Sequence, residues 1–356
     1  MMNLALVGLP QAGKKTIFSL LTGLDPAKAP KKGVLAFGVA AVRDPRIDTL
    51  TVMYQPQKTR YAEFEIQLPP DVTPAATRGA EWLAPLRLAD ALLVVIRTFS
   101  NPNIFHLKTT VDAARDVEMV DMEFLLADLD MVEKRLERMA KDHKKKLNTN
   151  FEREQALMER LKTHLEGQNG LRTMALTPAE RELIGSLQLL TLKPLVVVLN
   201  TDEDSVAAEA ALSPLIERLR GQGAVIISLC ASIENEIAEL PEAERAAFLA
   251  DLGLLEPAAH RLSRAVFERL GLICFFTAGA DEVRAWPVER GTLAPQAAGK
   301  IHSDLERGFI RADTVAYHDL VAAGSEKAAR EANKFRLNGK EYVVQDGDVI
   351  EIRFNV

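Results

Sequence analysis

The sequence predicts an α/β protein: a doubly wound, mostly parallel sheet carrying a helical insertion and followed by a small β-rich domain. Three observations predict it. Strand-like and helix-like segments alternate along the front of the chain, the texture changes to long amphipathic helices between about 121 and 190, and short strands with turn residues take over from about Leu272. The implied division is 1–120 with 191–271, then 121–190, then 272–356.

Leu4-Ala5-Leu6-Val7 reads as a short buried strand and 16–21 as the helix after it. Residues 34–39 and 61–66 supply further strands. The runs 91–96 and 195–199 are almost continuously apolar, as central parallel strands covered on both faces must be, and 224–228 closes the set. In the insertion, Met122, Leu125, Leu126, Leu129, Val132, Leu136 and Met139 form one apolar stripe, and Leu157, Leu161 and Leu165 another. Between them, Lys141-Asp142-His143-Lys144-Lys145-Lys146 suits the solvated tip of an antiparallel hairpin, with Gly167 and Gly170 ending the second arm. Thr177-Pro178-Ala179-Glu180 is a capping box with proline at the first helical position. The last segment predicts one helix around 328–332, an Asp346-Gly347-Asp348 turn and a closing strand over 349–354.

The chain has 356 residues, 47% of them hydrophobic and 26% charged, enough for two or three domains with a buried core. Its net charge of −6 excludes a wholly basic nucleic-acid binder, so RNA contact would need a local patch such as Lys144–Lys146. No apolar run reaches the length of a membrane span, and the first residues read as a strand and not as a signal peptide. Cys230 and Cys274 show no ligand spacing, and the six histidines form no metal pattern. A reduced, cytoplasmic setting is expected.

Between the first strand and helix lies Gly8-Leu9-Pro10-Gln11-Ala12-Gly13-Lys14-Lys15-Thr16. The spacing Gly8, Gly13, Lys14 is that of a phosphate-binding loop, whose backbone N–H groups and following helix N-terminus cradle a pyrophosphate while the lysine reaches the β- and γ-phosphates. The candidate phosphate-binding residues are Gly8, Pro10, Gln11, Ala12, Gly13, Lys14, Lys15 and Thr16. A hydroxyl should follow Lys14 to ligate Mg²⁺, and here the residue is Lys15. Thr16 is a poor substitute, because one residue along a helix turns the side chain by about 100°. The segment 64–74 has no D-x-x-G, its Asp71 being followed by Val72-Thr73-Pro74, and 31–35 offers no threonine to clamp a metal. Three metal-linked positions are altered together, so Mg²⁺-dependent hydrolysis is expected to be weak or absent, with Lys14 and Lys15 holding a nucleotide without metal.

The strand over 195–199 delivers Asn200-Thr201-Asp202-Glu203 to its C-terminal edge, where α/β sheets bind ligands. A guanine site carries N-K-x-D there, its aspartate accepting from guanine's N1–H and exocyclic amine. Here Thr201 replaces the base-covering lysine and Glu203 is longer by one methylene. Weak guanine discrimination follows, which leaves the site open to an adenine base.

Long strings then resemble the YchF group of Obg-related P-loop proteins, the Obg-like ATPases: Ala231-Ser232-Ile233-Glu234-Asn235-Glu236-Ile237, Cys274-Phe275-Phe276-Thr277-Ala278-Gly279, Ala294-Pro295-Gln296-Ala297-Ala298-Gly299-Lys300, Gly308-Phe309-Ile310-Arg311-Ala312 and Gln345-Asp346-Gly347-Asp348. The resemblance covers nearly the whole chain. It implies a P-loop nucleotide-binding domain, a helical coiled-coil insertion and a C-terminal ubiquitin-like TGS domain. It further implies ATP favoured over GTP as the nucleotide, and ribosome or RNA association through the helical and TGS domains. The family's base motif N-x-x-E matches Asn200 and Glu203; with Thr201, Cys230 and Ala231 these are the candidate base-binding residues. Its G-K-S-T is broken at Lys15, its P-loop asparagine is Gln11 here, and its D-I-A-G switch is absent. No catalytic residue is assigned, and neither membrane nor sequence-specific DNA binding is expected. Two alternatives stand beside the weakly hydrolysing binder. One is a working ATPase or GTPase acting in translation or stress regulation, with Asp71 as a replacement metal ligand; the other is an interaction protein with a vestigial pocket.

Overall fold

The computed structural model describes residues 2–24, 34–72, 82–142, 149–202 and 205–355. By their contacts these form two units, 1–38 with 65–259 and 39–64 with 260–356. Residues 39–64 therefore group with the C-terminal segment.

One sheet, most of it in the first unit, is formed by strands β1 (Asn3–Val7), β2 (Ala36–Val42), β4 (Ala62–Leu68), β5 (Ala91–Arg97), β6 (Leu195–Asn200) and β7 (Val225–Leu229), β3 (Lys58–Arg60) belonging elsewhere. The order is β2-β4-β1-β5-β6-β7, and β1 runs parallel to β4 and β5, β5 to β6, and β6 to β7. Every residue of β5 and β6 is buried, as the unbroken apolar runs require. Because these strands are parallel, the turns after β1, β5, β6 and β7 all open at one edge.

Helices α1 (Lys14–Thr22), α2 (Pro45–Tyr54), α3 (Leu83–Leu88) and α4 (Ala113–Asp142) follow in chain order, then α5 (Thr149–Glu166), α6 (Pro178–Ile184), α7 (Ser205–Gly221) and α8 (Ala231–Glu239). Helix α4 is 30 residues long and begins eight residues before the expected insertion. Its first turns place Val117, Val120 and Phe124 in the core beneath the sheet. Beyond them Leu125, Val132 and Met139 pack with Leu157, Leu161 and Leu165 of α5 in a second core. The expected stripe is thus narrower than the sequence suggested: Met122 and Leu126 are exposed, because a 3.6-residue period carries them off the buried face. The basic run 143–146 lies outside the described residues. The capping box at Thr177 is present, Thr177 Oγ1 accepting from the Glu180 N–H and the Glu180 carboxylate from the Thr177 N–H.

Asp128, fully buried on α4, accepts hydrogen bonds from Leu190 N (2.9 Å), Thr191 N (2.7 Å) and Thr191 Oγ1 (2.9 Å). It pins the middle of α4 to the turn that leads into β6. Burial raises its carboxyl above the usual carboxylate range, while these donors pull the other way.

In the second unit the sheet order is β11 (Arg336–Asn338), β10 (Phe309–Ala316), β12 (Asp348–Phe354), β8 (Leu272–Ala278), β9 (Glu282–Glu289), β3. Residues 328–332 were expected to supply the one helix here. The structure has four in the segment after β9, over Ala294–Ile301, Ser303–Arg307, Tyr317–Ala323 and Glu326–Glu331. The first three are short and alanine- or charge-rich, a composition that reads locally as turn. Asp346-Gly347-Asp348 is a turn as expected, with Gly347 at φ 88°; Asp346 accepts from Arg46 Nη1 (2.9 Å) and Cys274 N (3.0 Å). Burial raises the Cys274 thiol well above its ordinary range, which disfavours the thiolate.

Asp128→Ala leaves two buried N–H groups without an acceptor. It should destabilise the protein by about 2–4 kcal/mol, read as a lower urea midpoint with unchanged slope.

Candidate nucleotide site

The loop after β1 has the geometry its glycines dictate. Gly8 sits at φ 153°, and a Cβ there would lie 2.4 Å from the Val95 carbonyl oxygen of β5. Gly13 sits at φ 99°, and a Cβ there would lie 2.2 Å from Asn200 Nδ2. Both positions need glycine for conformation and for space. Gln11 takes a positive φ of 64° as the loop folds over the start of α1.

Asn200, the last residue of β6 and 4% exposed, closes this loop onto its neighbours. Its Nδ2 donates to the Ala12 carbonyl (3.0 Å), and its Oδ1 accepts from the Ala231 N–H at the start of α8 (3.1 Å). One carboxamide therefore joins the turns after β1, β6 and β7. Thr201 is buried and its N–H donates to the Leu229 carbonyl (2.8 Å), while Asp202 Oδ2 accepts from Ser100 N (3.0 Å).

These turns enclose a cleft of about 630 Å³. Of the sequence-derived candidates, Gln11, Gly13, Thr16, Asn200, Thr201 and Ala231 line it. Gly8, Pro10 and Ala12 shape the loop without lining the cleft, and Cys230 stands just beside it as the residue before α8, its Sγ 3.0 Å from Ser232 Oγ. Glu203 lies outside the described residues. The fourth wall, Phe99, Ser100, Asn101 and Ile104, was missed by the sequence reading. Its organiser is Arg97 at the end of β5, 3% exposed, which donates to the carbonyls of Phe99 (3.2 Å), Asn101 (3.1 Å), Ile104 (3.1 Å) and Phe105 (3.3 Å). The signal available was position: Arg97 and Phe99 follow an apolar run at the same edge as the P-loop. Behind this loop His106 Nε2 meets Asp116 at 2.8 Å, both buried, a structural pair and not a ligand set.

Lys14 does not reach into open space. It is 5% exposed, its ammonium donates to the Leu9 carbonyl, and it is paired with Asp71 Oδ1 at 2.8 Å. Burial holds the ammonium below the ordinary lysine range against the opposing pull of Asp71. Lys15, on the adjacent exposed face, does not line the cleft. The residues present do not fit Mg²⁺ held in the P-loop manner: the position that should offer a hydroxyl offers an ammonium, and the Asp71 carboxylate is engaged by Lys14. Among the described residues no three His, Cys, Asp or Glu side chains come together as a metal site.

A protein-family model named YchF-GTPase_C, described as "Protein of unknown function (DUF933)", matches residues 272–355. Across 99% of this chain and 98% of its own length, the "Ribosome-binding ATPase YchF" of Bacillus subtilis (strain 168) is 42% identical. The chain belongs to the YchF family. The protein of the same name from Escherichia coli O157:H7 is 38% identical over 99% of this chain and 98% of its own. An "Obg-like ATPase 1" of Oryza sativa subsp. japonica is 34% identical over 100% and 92%. The solved structure of the Schizosaccharomyces pombe YchF GTPase superposes with a TM-score of 0.86 at 29% identity, covering 99% of this chain and 97% of that one. Among the described residues no helix is long and apolar enough to cross a membrane.

Asn200→Ala strands the buried Ala231 N–H and unties Ala12. It should lower stability by about 1–3 kcal/mol, measured by chemical denaturation. Gly13→Ala should cost at least as much, because the new methyl collides with an asparagine held at both ends.

Proposed function

We propose that this chain is an adenine-nucleotide-binding, ribosome-associating member of the YchF family with little or no hydrolysis. The observation that carries the reading is the pairing of a well-formed P-loop and cleft with a lysine at the metal-ligating position. Glycines 8 and 13 and the turn-joining Asn200 are what a pyrophosphate cradle needs. Lys15 supplies charge without coordination, so phosphate neutralisation is retained and the metal-dependent step is not. An adenine base follows from N-x-x-E at Asn200 and Glu203, which lacks the aspartate that reads guanine. The ribosome as partner rests on the names of the relatives, identical at 38–42% over their full length, and a soluble cytoplasmic protein suits that partner. We assign ribosome or RNA contact to the α4–α5 hairpin and to a TGS-like fold over 272–356.

Isothermal titration with ATP and GTP, with and without Mg²⁺, tests the reading. ATP should bind more tightly than GTP, with an affinity that Mg²⁺ leaves unchanged. Lys15→Ser should make binding Mg²⁺-dependent. Mg²⁺-stimulated turnover that Lys14→Ala abolishes would establish a working ATPase instead. Absence of nucleotide binding would move the function to the hairpin and C-terminal segment.

A further inference from the structure

The Lys14–Asp71 pair uses donors that a P-loop lysine offers to phosphate. A protonated lysine has three N–H donors and no acceptor. One donor of Lys14 goes to the Leu9 carbonyl and a second to Asp71 Oδ1, which leaves one. A P-loop lysine normally spends donors on both the β- and the γ-phosphate.

Asp71 is built in and not a passing contact. Pro69 and Pro70 stiffen the chain just before it. Val72, directly after it, is fully buried in the core beneath the sheet, and its N–H donates to the Gly8 carbonyl at 3.2 Å. The backbone just after Asp71 is therefore anchored to the P-loop itself. Its carboxylate is partly screened at 30% exposure, while the ammonium it holds is 5% exposed. An anion fixed there occupies the place on Lys14 that a terminal phosphate would take, and repels one that approaches the same ammonium.

We infer that Asp71 is a specificity-determining residue that makes the site select nucleoside diphosphates over triphosphates. This rests on the nucleotide-binding reading above. The loop's backbone N–H groups and the last donor of Lys14 suffice for a β-phosphate, and the γ-phosphate must compete with a tethered carboxylate.

Calorimetric titration of the full chain with ADP and with ATP, in Mg²⁺-free buffer, tests it. The native protein should bind ADP more tightly than ATP by about tenfold or more. Asp71→Asn, which keeps the shape and removes the charge, should tighten ATP by about tenfold while ADP changes by less than about threefold. A thermal melt checks that the variant is folded. Should it not fold, the native protein alone decides the matter: the preference for ADP is a repulsion and must shrink as salt rises from ~50 to ~500 mM. ATP bound as tightly as ADP by the native chain, or an Asp71→Asn change that moves both ligands alike, overturns the inference and leaves the nucleotide site standing. Binding of neither nucleotide overturns both.

Discussion

A single buried carboxamide holds the cleft together. Asn200 stands at the end of a strand buried along its whole length, and its two polar atoms are used in opposite directions, toward Ala12 and toward Ala231. Three turns that are far apart in sequence acquire a fixed relation through it. A side chain buried this deeply must satisfy both its donor and its acceptor, so the loop positions that face it are constrained in turn. Gly13 lacks a Cβ because Asn200 fills that space, and Gly8 lacks one because Val95 does. The sequence pattern usually credited to phosphate binding is, in this chain, equally a pattern of close packing.

Charge in the site is arranged as a relay and not as a simple basic pocket. The two lysines of the loop differ in kind. Lys14 is buried and paired with Asp71, and Lys15 stands on the exposed face of the first turn of α1. With Asp71 counted, the three side chains carry a net single positive charge. A conventional lysine followed by a hydroxyl carries the same, so the net attraction for an anion is no different.

Much of this was legible in the sequence, for identifiable reasons. Apolar runs at 91–96 and 195–199 could only be covered central strands, and the glycine spacing of the loop admits few other conformations. Asn200 was legible because it ends such a run. What escaped notice depends on contacts between distant residues. The Arg46–Asp346 pair spans 300 positions, so nothing local foretold that 39–64 would group with the C-terminal segment. Arg97 looks like an ordinary basic residue ending a strand, and only the fold reveals four carbonyls converging on it. Asp71 was read only as a replacement metal ligand in one alternative, because its partner lies 57 positions away, at Lys14.

Helix α4 has a consequence for cooperativity. At 1.5 Å per residue it is a rod of about 45 Å that belongs to two cores at once. Its early turns are embedded under the sheet through Phe124, its later turns in the hairpin through Val132 and Met139, and Asp128 sits where the two meet. The adjacent pair Leu189 and Leu190 is shared in the same way, one residue to each core. The hairpin can therefore fray from its free end, but its base cannot melt alone, since opening it would pull apolar side chains out from under the sheet. Local unfolding in the first unit has a natural stopping point, and it lies one helical turn past Phe124.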